Sequence, residues 1–387
     1  MEKMKNSFLF VGWYPNPIDI YRNVFFQNLI FAIADQGIKC TVISPVSVTK
    51  YRSRIKKIPL HTVHYTKLGN SISVYYPRYF SASSIRIGFF NTEHISEKLF
   101  EKAAIRVAKK HIKEFDCVYG HFFLYGGLAA TKIGKKYNVP AFIACGECDL
   151  QSQIFDTYGM PKKKELVGLS GIISVSSKNS RELINSGIID KETPIITAPN
   201  AVDLTIFRKK DKNLCRKRFS FPPNAFIVGF VGGFIERKGD KRLLEAVNRI
   251  PDVYAAFAGT GDNPPTGKKV LFCGPVEHSL IPTFLNAVDV FCLPTLSEGS
   301  CNSVIESMSC GTPVISSNLP FNDDILTEEN SIRINPSSTE DIENAIILLK
   351  NNKLLFEKIV FNSLRDSKAL SIENRAKRII CFIKKHI

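Results

Sequence analysis

No stretch of this 387-residue chain approaches the roughly 20 consecutive apolar residues that a membrane-spanning helix needs. The opening MEKMKNSFLFVGWYP has too short an apolar run for a secretory leader, and it lacks a small-residue cleavage site. Ten cysteines are scattered without the rhythm of a disulfide framework, which fits a reducing compartment. There is no Asp-x-Asp pair, so a metal-held diphosphate is not expected. The GTGD of residues 259–262 is broken by Asn263-Pro264-Pro265 and does not complete a dinucleotide fingerprint, which argues against hydride transfer. No internal repeat is evident. These absences leave a soluble cytoplasmic protein with no cofactor of its own.

What is abundant is positive charge, +16 overall. Residues 1–200 hold 27 Lys and Arg against 15 Asp and Glu, a balance of +12, whereas residues 201–387 hold 25 against 21, a balance of +4. A basic half implies an anionic partner such as a phosphorylated substrate, a membrane face or nucleic acid; a generally basic surface is the plainer reading. The local source is KYRSRIKK (50–57), five cations in eight residues, with aromatics nearby in YYPRYF (75–80) and IRIGFF (85–90). Cations beside interfacial aromatics suit an anionic membrane surface. The same mixture binds single-stranded nucleic acid, and it also describes a solvated loop over packed rings.

Short apolar runs alternate with helical patterns in two series. SFLFVG (7–12), CTVIS (40–44), CVYG (117–120), AFIA (141–144), GIISVS (171–176) and PIITA (194–198) read as buried parallel strands, with helices near 24–36, 93–114, 127–137 and 178–185. AFIVGFVG (225–232), YAAFAG (254–259), VLFCG (270–274), VFCLP (290–294) and PVIS (313–316) form the second series, with helices near 240–249, 280–287, 303–309 and 339–350. The pattern predicts two doubly wound, Rossmann-like α/β domains facing a central cleft. The break falls in 200–225, where charge, Asn and Pro-Pro replace periodicity. Expected boundaries are 1–205, 206–366 and a C-terminal basic helix, 367–387, packing back on the first domain.

The stretch EGSCNSVIESMSCGTPVIS (298–316) carries two glutamates with seven residues between them. Ser303 to Glu306 reads as a capping box, in which the glutamate merely starts a helix. That leaves Glu298-Gly299, at the end of a strand, unexplained. A strand, a small-residue turn and a helix N-terminus together present free amides to an anion, so Ser300, Cys301, Asn302 and Ser303 are candidate phosphate holders. Flanking carboxylates would accept hydrogen bonds from sugar hydroxyls. CGEC (145–148) is weighed as a redox pair or half a metal site, but no second close Cys or His pair accompanies it. Glu147 and Asp149 more readily meet an acceptor hydroxyl.

E-x7-E followed by Cys-Gly-x-Pro-Val resembles the donor motif of retaining GT-B glycosyltransferases, specifically glycosyltransferase family four of the bacterial cell-surface polysaccharide type. Further segments resemble the family in order: 14–45, VYGHFFLYGGLAA (118–130), ISVSSKNSRELINSG (173–187), ITAPNAVDLTIF (196–207) and GFVGGFIERKGDKRLLEAV (229–247). The resemblance implies that Lys238 neutralises a departing diphosphate and that Glu306 holds the nucleotide ribose. Glu298 and the amides after it would hold sugar and phosphates, with His121 lining the sugar site. Arg237, Gly12, Asn23, Glu147 and Asn200 join the implied substrate contacts. Four positions depart from the family pattern. Gly233 stands for an arginine, Asn23 for a glycine, Ala201 for the glycine of Asn-Gly-Val-Asp, and Cys145 for a histidine. Arg237, beside Lys238, either replaces the cation missing at 233 or points to solvent. The implied function is metal-independent transfer of a sugar from a nucleotide diphosphate, with UDP expected, to a lipid-linked or cell-surface glycan at the inner membrane face. A nucleotide-sugar epimerase, a phosphorylase and a non-catalytic sugar-nucleotide-binding subunit are the alternatives; nucleic acid is not an expected partner.

Overall fold

The computed structural model describes residues 6–20, 22–82, 86–87, 90–150, 166 and 168–387, except for the side chains of 86, 87 and 90. The chain divides into two compact units, Met1–Ala198 with Arg375–Ile387, and Pro199–Asn374. The division falls before the expected 205/206 boundary because Val202 is tied into the second unit. Its amide donates to Leu370 O (3.0 Å), and its carbonyl accepts from Ile372 N (2.9 Å). The tail joins the first unit only from Arg375 onward, eight residues after the expected start at 367.

In the first unit, eight strands form one sheet: β1 (Ser7–Val11), β2 (Lys39–Ile43), β3 (His61–Tyr65), β4 (Ser71–Tyr75), β5 (Cys117–His121), β6 (Ala141–Cys145), β7 (Leu169–Ser174) and β8 (Ile195–Thr197). Their order is β8-β7-β6-β5-β1-β2-β4-β3. All neighbours are parallel except the β3–β4 hairpin. That hairpin escaped the sequence reading because β3 lies at the edge with alternately exposed residues and offers no apolar run. Helices α1 (Val24–Ala34), α2 (Glu93–His111), α3 (Leu128–Tyr137) and α4 (Ser177–Asn185) connect the strands. β1 is completely buried, and Val11 lies opposite both Ile43 and Gly120. The sheet order reverses at β1/β5, and an open α/β sheet offers its crevice at such a point.

The second unit is a six-stranded parallel sheet of β9 (Phe226–Val231), β10 (Val253–Ala258), β11 (Val270–Gly274), β12 (Val290–Leu293), β13 (Val314–Ser317) and β14 (Ser331–Ile334). The order β11-β10-β9-β12-β13-β14 reverses at β9/β12. Its helices are α5 (Lys212–Phe219), α6 (Asp240–Arg249), α7 (Ile281–Ala287), α8 (Asn302–Cys310), α9 (Thr339–Asn351) and α10 (Lys353–Ser367); α11 (Ile372–Lys385) ends the chain.

Segment 200–225 is more ordered than its composition implies. Asp211 caps α5 by accepting from Leu214 N at 2.8 Å. From α5 the buried Arg216 donates to Ala287 O (3.0 Å) and Ala225 O (2.9 Å), and it pairs with Asp289 Oδ2 at 2.6 Å. Asp289 Oδ2 also accepts from Ile227 N at 2.7 Å, so one carboxylate locks α5 to β9. Removing the guanidinium strands a part-buried carboxylate and several carbonyls. Arg216→Met should lower unfolding free energy by about 3 kcal/mol, read from the midpoint of urea denaturation at an unchanged slope.

Candidate functional site

At the β9/β12 reversal, the backbone after β9 turns through Gly232-Gly233 and a short 3₁₀ turn, Glu236–Lys238. Gly239 then starts α6 at φ 78°, a conformation that favours glycine. A Cβ there would also lie 2.5 Å from Pro294 O, in the segment that follows β12. Leu296 N donates to Arg237 O at 2.8 Å and joins the two segments. The close approach brings three donors onto one oxygen of the buried Glu298. Lys238 Nζ lies 2.5 Å from Oε1, Arg237 Nη1 2.9 Å, and Thr295 Oγ1 3.0 Å. Burial works against the Lys238 ammonium, but Cys301 and the Glu298 carboxylate beside it outweigh burial and raise its pKa. Arg237 therefore turns into the site. Gly233 leaves room: among the described residues, a Cβ there would meet only Thr260 O, at 3.8 Å. Thr295 is a member of the cluster that no sequence motif announced.

The turn Ser300–Cys301 leads into α8. Cys301 occupies the capping position, and no side chain caps the helix. The capping box expected from Ser303 and Glu306 is not formed. The helix starts at Asn302, two residues too early for Ser303 to cap it, so Glu306 falls in the second turn. Asn200 fixes the turn instead, donating from N to Ser300 Oγ and from Nδ2 to Ser300 O, each at 3.0 Å. Ala201 is no obstacle to this clamp. The Asn302 Oδ1 atom is buried without a hydrogen-bond partner. Glu306 is 14% exposed, and its carboxylate lies 3.9 Å from His278 Nε2. Burial pushes its pKa up to about 7, and burial also lowers that of His278. The cluster thus offers two cations, uncapped helix amides and a carboxyl poised near neutrality.

The first unit has its own reversal point. A Cβ on Gly12, just past β1, would lie 2.9 Å from His121 Cβ at the end of β5, so only glycine fits there. Asn23 adopts φ 52° at the start of α1 and donates from Nδ2 to Trp13 O at 3.0 Å, filling a left-handed position that suits glycine or asparagine. His121 is 6% exposed and stacks on Phe26 with ring centroids 4.0 Å apart. Neither ring nitrogen has a hydrogen-bond partner among the described residues, and burial, aided by the positive Arg375, lowers its pKa to about 3. The imidazole is neutral at physiological pH. After it, Phe122–Gly127 forms a π-type turn with positive φ at Phe122 (66°) and Tyr125 (53°). Glu147 holds this turn by accepting from Phe123 N at 2.6 Å, which leaves Oε2 buried without a partner among the described residues. Cys145 is buried and Cys148 half-buried, and no disulfide links them.

Elsewhere on the first unit, Arg52, Arg54, Lys56 and Lys57 are exposed on a 3₁₀ turn, with no ion pair among the described residues. Phe80 is exposed nearby, whereas Tyr76 is buried. The side chains of 85–90, and residues 151–165, lie outside the described residues.

Residues 225–352 match the family described as Glycosyl transferases group 1. Over 353 residues the chain is 23% identical to TuaC of Bacillus subtilis (strain 168), whose name assigns it to teichuronic acid biosynthesis as a glycosyltransferase, covering 88% of each chain. Sucrose-phosphate synthase from Thermosynechococcus elongatus superposes with a TM-score of 0.79 at 17% identity over 98% of each chain. HepE from Anabaena in complex with UDP-glucose gives 0.68 at 16% identity, covering 98% of this chain and 99% of that one. The fold is GT-B, and the homologues are named glycosyltransferases. For the local geometry, Asn23→Ala should cost about 1–2 kcal/mol while Asn23→Gly stays near wild type, as paired thermal melts would read.

Proposed function

We propose that this chain is a retaining, metal-independent glycosyltransferase of family four. It moves a sugar from a UDP-sugar to a lipid-linked or cell-surface glycan at the cytoplasmic face of the membrane. The observation that carries the reading is the Lys238–Glu298–Arg237 cluster beside the uncapped N-terminus of α8. The name of TuaC supports a cell-surface polymer as product, and the HepE complex supports UDP-glucose chemistry.

In this reading Glu298 holds both cations in place before substrate arrives. A diphosphate entering at α8 shares them with the carboxylate. As the bond from anomeric carbon to phosphate oxygen breaks, charge builds on the diphosphate. The Lys238 ammonium, Arg237 and the α8 amides stabilise that charge more strongly than the ground state. Glu306 accepts from the ribose hydroxyls, for which it must be ionised. His121, neutral and buried, offers one ring N–H and one acceptor nitrogen to sugar hydroxyls. Glu147 positions the His121 turn, and Asn200 positions Ser300.

Gly233, where the family pattern has an arginine, favours one rival reading, a sugar-nucleotide-binding subunit without turnover. Release of UDP from a UDP-sugar separates the two. Lys238→Ala should cut turnover by about 10²–10³ with a near-normal melting temperature. Activity close to wild type would mean that the lysine is misassigned, and binding without any turnover in the wild type would favour the subunit.

Glu306 adds a pH signature. Its carboxyl pKa of about 7 leaves it protonated below neutrality and ionised above. UDP-glucose affinity should therefore rise from pH 6 to pH 8, as calorimetry would follow. Glu306→Gln should bind more weakly at pH 8 and lose the pH dependence. A pH-independent wild type would remove Glu306 from the ribose contact.

A further inference from the structure

A cavity of about 450 Å³ opens in the second unit at the amino ends of β12 and β13, the sheet edge opposite to the one that carries Glu298. This volume lies within the range of ligand sites. α8 joins the two places, starting at Asn302 beside the cation cluster and ending at Cys310 on the cavity floor. One wall is α10, which presents Phe356, Val360 and Leu364 at four-residue spacing with Phe361 beside them. Leu364 packs tightly against Gly311: a Cβ added there would lie 3.3 Å from its side chain, and φ at Gly311 is 70°. The other wall is the segment that enters α5, with Lys209, Lys210 and Lys212.

This lysine segment is held in place by the buried Asn286. Lys210 N donates to Asn286 Oδ1 at 2.7 Å, and Asn286 Nδ2 donates back to Arg208 O at 3.0 Å. Charge at the cavity is left unbalanced. Asp289 is already paired with Lys212 (2.8 Å) and Arg216 (2.6 Å). Glu357 faces Lys353 at 3.8 Å. Lys209 and Lys210 have no ion pair among the described residues. Two apolar side chains project into solvent two helical turns apart on α10: Phe361, which lines the cavity and is 69% exposed, and Leu354, 81% exposed. Leu214 on α5 is exposed as well. Two ammonium groups without ion pairs among the described residues, lining the same cavity as Phe356, Val360, Leu364 and the exposed Phe361, complement an anionic head joined to a hydrocarbon chain.

We propose that this cavity docks one anionic phospholipid of a membrane surface. Lys209 and Lys210 would take the phosphate, Phe356, Val360 and Leu364 the start of an acyl chain, and Leu354 and Phe361 would enter the acyl boundary. This lipid site goes beyond the donor chemistry and is separate from the cationic turn at 52–57 of the first unit. It places a lipid contact at the far end of the helix that carries the donor amides.

The full chain is tested by co-sedimentation with phosphatidylglycerol and phosphatidylcholine vesicles. Lys209→Ala with Lys210→Ala should weaken partitioning onto phosphatidylglycerol by more than tenfold, about fivefold for each lysine. The UDP-induced thermal shift should be unchanged, which separates this site from the donor site and reports a folded variant. In Phe361→Trp, the introduced indole should shift to the blue on phosphatidylglycerol vesicles, after subtraction of the wild-type signal from Trp13. Wild-type partitioning of the double lysine variant, or an unshifted indole on vesicles, overturns the proposal. So does loss of binding only when Arg52, Arg54, Lys56 and Lys57 are changed to alanine. An equal blue shift with dissolved glycerol phosphate and no vesicles would mean a pocket for a soluble anion, and the lipid assignment fails.

Discussion

The carboxyl end of the second unit's sheet is organised around one carboxylate. Glu298 Oε1 takes Lys238, Arg237 and Thr295, groups from the turns after two different strands. Without it, two cations within a few ångströms of each other would repel, and Lys238 is largely buried. Bringing those turns together requires the Gly239 crossing over Pro294 O and the Leu296–Arg237 backbone bond. The Asn200 clamp on Ser300 then sets where α8 begins. Donor chemistry at this place would use cations that the resting protein already holds, so little reorganisation accompanies diphosphate binding.

The first unit solves a different problem with similar means. Its reversal point is crowded by Gly12 against His121 and by a turn with two aromatic residues at positive φ. Such strain is held by surrounding structure and marks functional positions more often than chance packing does. Glu147 accepts the Phe123 amide and thereby keeps His121 stacked on Phe26. Its buried, unpartnered oxygen and the two unpartnered imidazole nitrogens are polar groups that a sugar could satisfy.

Much of this was legible in the sequence, for physical reasons. Parallel strands buried on both faces write continuous apolar runs, so β1, β9 and β12 could be read directly. The edge hairpin β3–β4 left only weak alternation and was missed. α5 and α10 are rich in charge and bury few residues, so their periodicity was faint. The Glu298–Glu306 spacing pointed to the candidate site, but the register of α8 could not be read. Ser303-to-Glu306 fits a capping box as a string, yet Asn200, a hundred residues away, fixes the turn so that the helix starts earlier. Likewise, nothing local told whether Arg237 faced inward; its partner Glu298 comes from another turn. Contacts between residues distant in sequence decided each point on which the string was silent.

In the proposed function, the α8 amides and the Glu298-held cations grip a diphosphate. Hydrogen exchange of the amides of residues 300–304 measures this directly, with the full chain alone, with uridine and with UDP. Marked slowing at those amides with UDP, and little with uridine, is the predicted result. UDP binding that leaves them unchanged would mean that the α8 amides do not hold the diphosphate.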